Sequence, residues 1–192
     1  DDDAAGITVT PTAGLVTSEA GGTASFTVVL NSQPTADVTI GVSSGNTNEG
    51  TTDVASLTFN NGNWNVAQTV TVTGADDAVA DGAVAYSILL GAASSSDANY
   101  AGIDAADVAV SNTDDDVPGV TVTPTAGLVT SEAGGTASFN VVLDSRPTAD
   151  VTLPVASSDT GEGTVSANSL TFTAGNWNVA QTVTVTGVND MV

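Results

Sequence analysis

Apolar and polar residues alternate with a period of two along most of the chain, the pattern of strands with one buried face. Ile7-Thr8-Val9-Thr10 alternates and is stopped by Pro11. Residues 24–30 (ASFTVVL) are rich in β-formers and end at the turn cluster Asn31-Ser32-Gln33-Pro34. Residues 37–42 alternate with Val38, Ile40 and Val42 inward. Leu57 and Phe59 mark a short strand before Asn60-Asn61-Gly62-Asn63, a strong turn. Residues 66–73 alternate Val66, Gln68, Val70 and Val72 against Ala67 and three threonines, and residues 84–90 and 108–113 complete the set. No window has helical apolar spacing led by a capping box. The pattern predicts an all-β chain, with about seven short strands in each immunoglobulin-like antiparallel sandwich.

Self-comparison sets the number of sandwiches. Residues 10–26 (TPTAGLVTSEAGGTASF) recur at 123–139, and 62–74 (GNWNVAQTVTVTG) at 175–187, an offset of 113. Aligning 7–79 with 120–192 needs no gap and gives 54 identities in 73 positions. The expected organisation is a tail of a preceding repeat at 1–6, a first sandwich at 7–116, a linker at 117–119, and a second sandwich at 120–192 without its last strands. Asp1-Asp2-Asp3 resembles Asp114-Asp115-Asp116 at the internal junction, so the chain reads as a window from a longer tandem array.

Composition narrows the function. The 192 residues carry 22 Asp and Glu against one basic residue, Arg146, for a net charge of -21, with no His and no Cys. Such a charge repels nucleic-acid phosphates and anionic membrane surfaces, so neither nucleic-acid binding nor membrane insertion is expected. Imidazole, thiolate and the usual zinc chemistry are excluded by residue type, and no enzymatic activity is expected. The hydrophobic fraction of 41% and mean hydropathy of +0.18 separate the chain from acidic disordered sequences. Absence of Cys fits a surface array held by metal instead of disulfides. A signal peptide or membrane span would not appear in an internal window.

The acids gather where strands end. Asp76 and Asp77 follow the strand at 66–73, and Asp81 comes four residues later. Asp114, Asp115 and Asp116 follow the last strand, and Glu19 sits in Ser18-Glu19-Ala20-Gly21-Gly22 just before the second. If these loops share a pole, up to seven carboxylates converge with no basic partner, raising one another's pKa. A hard divalent cation neutralises such a set. Calcium, with six to eight oxygen ligands in loose geometry, suits loop ends better than magnesium, which keeps more water. Asp37, Asp97, Asp104, Asp107, Asp144 and Asp150 read instead as solvated loop tips. Paired carboxylates also serve glycosidases, but nothing else here forms a substrate cleft. Trp64 and Trp177, in identical turns, read as end plugs of the sandwiches ahead of sugar-stacking platforms.

Taken together, Ser18-Glu19-Ala20-Gly21-Gly22-Thr23, Thr73-Gly74-Ala75-Asp76-Asp77-Ala78-Val79-Ala80-Asp81 and Asn112-Thr113-Asp114-Asp115-Asp116 resemble the Calx-beta family, most of all the bacterial immunoglobulin-like repeats of very large surface and secreted proteins. The resemblance covers nearly all of 7–117 and the shorter 120–192. It implies a seven-stranded sandwich binding calcium at one pole, with Glu19, Asp76, Asp77, Asp81, Asp114, Asp115 and Asp116 as ligands. The family often has an acid in the loop after the third strand. The second copy has Asp159 there, and the first has Asn46, a neutral donor. Asn189-Asp190 replaces Asp76-Asp77 in the second copy, leaving Glu132, Asp159, Asn189 and Asp190 as a partial set that should bind calcium weakly or not at all.

The expected function is a structural calcium-binding segment of a secreted or cell-surface protein of a bacterium, serving as an adhesin stalk or fibre subunit. Its expected partners are neighbouring repeats and, through completion of the short second sandwich, a homopolymer or filament. The alternative is an accessory module recognising a polysaccharide or protein, which an aromatic concave face near Trp64 or Tyr86 would mark.

Overall fold

A computed structural model describes residues 3–189, and it is all-β, an immunoglobulin-like sandwich architecture with no helix among those residues. The chain divides into two compact units. The first comprises residues 1–77 and 81–115, and the second comprises 78–80 and 116–192.

In the first unit, one sheet has the order β1 (Ile7–Thr10), β3 (Thr23–Leu30), β7 (Gln68–Gly74), β5 (Gly50–Thr52). The facing sheet runs β2 (Leu15–Ser18), β10 (Val108–Thr113), β8 (Val84–Leu90), β4 (Val38–Ser44), β6 (Ser56–Phe59), with β9 (Ser94–Ser95) also on β4. All pairs are antiparallel except β10 with β2, which run parallel from Val110 opposite Leu15 to Thr113 opposite Ser18. The alternation read from sequence becomes the core. Phe26, Val28, Val70 and Val72 of one sheet meet Val38, Ile40, Ile88 and Val108 of the other, each at most 1% exposed. Burying side chains of this size stabilises by roughly 1.5–3 kcal/mol each before entropy is counted.

Three departures from the sequence reading have local causes. The strand expected from Val66 begins at Gln68. Val66 N donates to Asn63 O (3.0 Å) and Trp64 N to Asn60 O (3.0 Å), so the turn reaches two residues further and leaves Val66 58% exposed. Strands β2, β5 and β9, of two to four residues and rich in Ser, Thr or Gly, carry too little alternation to be read from sequence. Asp97 is not a solvated loop tip. It is buried, its carboxylate accepts from Thr35 N (2.8 Å) and Asn99 N (2.9 Å), and these bonds hold its pKa below the usual carboxylate value.

The second unit repeats the first sheet, in the order β11 (Val120–Thr123), β12 (Thr136–Leu143), β16 (Gln181–Gly187), β14 (Gly163–Val165). Its other sheet is the pair β13 (Val151–Pro154) and β15 (Ser169–Phe172). Its buried core is Val141, Leu143, Leu170, Phe172 and Val183. Trp64 and Trp177 pack, partly buried, against their respective cores, and their carbonyls accept from Leu30 N and Leu143 N at 3.1 Å. Tyr86 is buried as well. Among the described residues no helix is long and apolar enough to cross a membrane.

Candidate metal centre

Backbone pairing brings the acidic loops of the first unit to one pole. The parallel ladder of β2 and β10 continues one step beyond both strands, with Glu19 N donating to Thr113 O (2.9 Å). The residues after β2 and after β10 therefore leave side by side, which sets Glu19 beside the Asp114-Asp115 run. The chain reverses at once after Glu19: Gly21 N and Gly22 N both donate to Ser18 O (3.0 and 3.1 Å). Gly21 has a φ of 80°, which a side chain would strain. Strand β7 then delivers the third loop. Gly74 N donates to Gly22 O (3.0 Å) and Ala75 N to Glu49 O (3.0 Å), just before Asp76 and Asp77.

Glu19, Asp76 and Asp115 each offer a carboxylate oxygen within 4.8 Å of the others. Glu19 is only 4% exposed, and its Oε2 is buried with no hydrogen-bond partner. Asp76 and Asp115 are open to solvent. Burial raises the Glu19 pKa to about 7, helped by the charges of Asp114, Asp77 and Asp81 and opposed by the Asp115 backbone N–H. Asp114 is held in place by Gly82 N, which donates to its Oδ2 (2.7 Å). Asp81 is exposed, and Asp116 is the first residue of the contiguous stretch of the second unit.

The sequence reading missed Glu49. It is 6% exposed, and its Oε2 is likewise buried without a hydrogen-bond partner. Burial raises its pKa, followed by the charge of Asp81 and then that of Asp77, with the Asn112 side chain opposing. The signal was present: Glu49-Gly50 recurs unchanged as Glu162-Gly163 across the repeat offset. Asn46, the expected donor of this loop, shapes it instead. Its carbonyl accepts from Glu49 N and Gly50 N (both 3.2 Å), and its side chain accepts from Asn48 N (3.2 Å).

Beneath the acids lies a neutral floor. Thr17 Oγ1 donates to Asn112 Oδ1 (2.9 Å) and lies 3.2 Å from the Tyr86 hydroxyl, while Asn112 Nδ2 donates to Ala75 O (3.0 Å). These bonds tie the loops to the strand ends, and of the acids only Glu49 gains from them, through the Asn112 side chain.

The second unit does not gather its acids. Glu132, Asp159, Glu162 and Asn189 are all exposed, and the Asp159 carboxylate caps its own loop by accepting from Gly161 N (2.9 Å). Among the described residues no group of three acids there comes within metal-binding distance. Asp190 lies outside the described residues, as do Asp1 and Asp2.

The buried Glu19 carboxylate, with an unused oxygen and with Asp76 and Asp115 oxygens within 4.8 Å, fits a hard cation. The donor set is all oxygen, which suits calcium or magnesium and not zinc or copper. Without metal, the raised pKa has a signed consequence. The folded protein keeps its proton on Glu19 up to about pH 7, whereas the unfolded chain loses it near 4.5. The unfolded state therefore binds fewer protons across this window, and stability falls as pH rises through it. In chelator, the urea midpoint is expected to be lower at pH 7.5 than at pH 5; an unchanged or higher midpoint at pH 7.5 would contradict the burial of Glu19. The depressed Asp97 acts in the acid range, below this window.

No family model and no curated protein matches the sequence. Solved structures of similar fold include CBD12 from CALX1.2, at 15% identity and TM-score 0.45, covering 94% of this chain and 75% of that one. The calcium binding domain CBD12 of CALX1.1 gives 16% identity and TM-score 0.42, covering 97% and 77%. The periplasmic chaperone SfaE gives 10% identity and TM-score 0.44, covering 95% and 100%. At these values the likeness concerns the β-sandwich fold alone.

Proposed function

We propose that the chain is a structural calcium-binding repeat segment of an extracellular or cell-surface protein, an adhesin stalk or fibre subunit, and not an enzyme. The observation that carries this reading is the buried, unpartnered Glu19 Oε2 facing Asp76 and Asp115. A buried carboxylate in that position costs stability unless a cation completes it. Calcium held by Glu19, Asp76 and Asp115, with Asp77, Asp81, Asp114 and Glu49 close by, ties together the ends of β2, β7 and β10. The Asp114-Asp115-Asp116 run leads straight into Val117-Pro118-Gly119. Occupancy then stiffens the exit from the first unit, and Pro118 narrows the linker further. Repeated along an array, such junctions make an extended rod with neighbouring repeats as its partners. A recognition module would need an open aromatic face, and Trp64 and Tyr86 are spent on the core and the polar floor.

Thermal melting of the full chain with calcium and with chelator tests this reading. At calcium a hundredfold above its Kd the first unit gains about 2.7 kcal/mol, a rise in melting temperature of about 10 °C or more for a domain of this size. A melting curve indifferent to millimolar calcium would overturn it.

A further inference from the structure

The acids at the pole of the first unit come from four segments, and one buried side chain is bonded to three of them and belongs to the fourth. Asn112, on β10, is 1% exposed. Its Oδ1 accepts from Thr17 Oγ1 (2.9 Å), two residues before Glu19. Its Nδ2 donates to Ala75 O (3.0 Å), next to Asp76 and Asp77. The same amide bonds the Glu49 carboxylate, in the loop between β4 and β5. Asp114 and Asp115 follow Asn112 by two and three residues in the chain.

The amide has no room to turn. Gly74 lies so close that a Cβ there would come within 2.5 Å of Asn112 Oδ1. Thr17 Oγ1 is backed by the Tyr86 hydroxyl at 3.2 Å. That hydroxyl is backed by Gly50, where a Cβ would run into it. Rotation of the amide would also leave Thr17 and Ala75 without their bonds, which is costly at a buried site. Backbone bonds run alongside: Glu19 N donates to Thr113 O and Ala75 N to Glu49 O. The spacing of the four segments is therefore set from below, by a neutral group.

A fixed spacing tells cations apart. Calcium takes six to eight oxygens at roughly 2.3–2.6 Å, so it draws on several loops at once. Magnesium demands oxygens at roughly 2.0–2.1 Å, keeps several waters and is held through one or two carboxylates. Loops tied at one separation suit the first ion and cannot draw in around the second. We infer that Asn112 is a positioning residue that sets the preference of this pole for calcium over magnesium. The inference rests on the calcium reading proposed above and adds the residue that makes it selective. Asn112 acts through the carboxylates it places, since its own polar atoms are engaged with Thr17, Ala75 and Glu49.

Calcium and magnesium titrations of the metal-free full chain test this, on the parent, Asn112→Ala, Thr17→Val and the double variant. Asn112→Ala is expected to weaken calcium about a hundredfold, as loss of a group that orients ligands does. Magnesium, which needs fewer loops together, weakens by about threefold or less. Thr17→Val keeps the side chain's shape and removes only the donor that orients the amide. It lowers the calcium-to-magnesium ratio by roughly tenfold, and it lowers it no further on the Asn112→Ala background, because Thr17 acts through the amide. Should Asn112→Ala fail to fold, the ratio in Thr17→Val decides. In chelator, hydrogen exchange in Asn112→Ala is expected to quicken at the Glu19 and Ala75 amides and to stay as in the parent at Val70, in the core. Equal weakening of both ions, an unchanged ratio in Thr17→Val, additive losses in the double variant, or exchange that quickens as much at Val70 would each overturn the inference and leave the calcium reading standing. A parent chain that takes up no calcium would overturn that reading, and the inference with it.

Discussion

Gly74→Ala is expected to unfold the first unit, while Gly41→Ala leaves it intact. Both glycines lie on strands of the same sandwich, and neither has a positive φ. A Cβ on Gly74 would run into the Ser18 carbonyl and approach Asn112 Oδ1 to 2.5 Å. Neither group can retreat. Ser18 O accepts from Gly21 N and Gly22 N, and Asn112 is bonded to Thr17 and Ala75. The methyl group would push apart the ends of β2, β7 and β10, at a cost of about 3 kcal/mol or more. A Cβ on Gly41 meets nothing within 4 Å, so that change stays within about 1 kcal/mol and removes backbone freedom from the unfolded chain. Hydrogen exchange along β3 and β7 reads the outcome for the first unit specifically. Protection surviving in Gly74→Ala would mean that the three strand ends are not packed as described.

Glu19→Gln is expected to change sign with conditions. In chelator above pH 7, glutamine removes a buried charge that burial, Asp114, Asp77 and Asp81 all disfavour, so the variant melts higher than the parent. In saturating calcium it melts lower, because the ligand closest to the core has lost its charge. The parent's gain of about 2.7 kcal/mol at a hundred times Kd falls below about 1 kcal/mol in the variant. A Glu19 with a purely structural role would shift both curves in the same direction. Calorimetry of parent and variant, each with calcium and with chelator, separates the two cases.

Much of this was legible in the residues. The alternation of Val38, Ile40 and Val42 or of Tyr86, Ile88 and Leu90 survives into the core because a strand's two faces impose a period of two whatever its neighbours. The convergence of Glu19 with Asp76 and Asp115 was legible as acids at strand ends, although which oxygens approach depends on the parallel pairing of β2 with β10. That pairing is long-range, and β2 is too short to announce itself. Glu49 escaped notice because one acid in a Thr- and Asn-rich loop looks like a solvated tip. Only its burial behind Ala75 and Asn112 sets it apart, and burial is a tertiary property. Asp97 escaped for the same reason, its backbone donors lying 62 residues away and next door. Val66 was misplaced because the hydrogen bonds of the turn outlast its sequence signal.

The central claim is that the pole formed by Glu19, Asp76 and Asp115 binds calcium, and titration calorimetry of the metal-free full chain measures it directly. The account predicts saturable calcium binding tighter than millimolar, proton release on binding at pH 6.5 as Glu19 gives up its proton, and loss of that binding when Glu19→Gln is combined with Asp115→Asn. A chain that takes up no calcium at millimolar concentration, or a double variant that binds as the parent does, would contradict it.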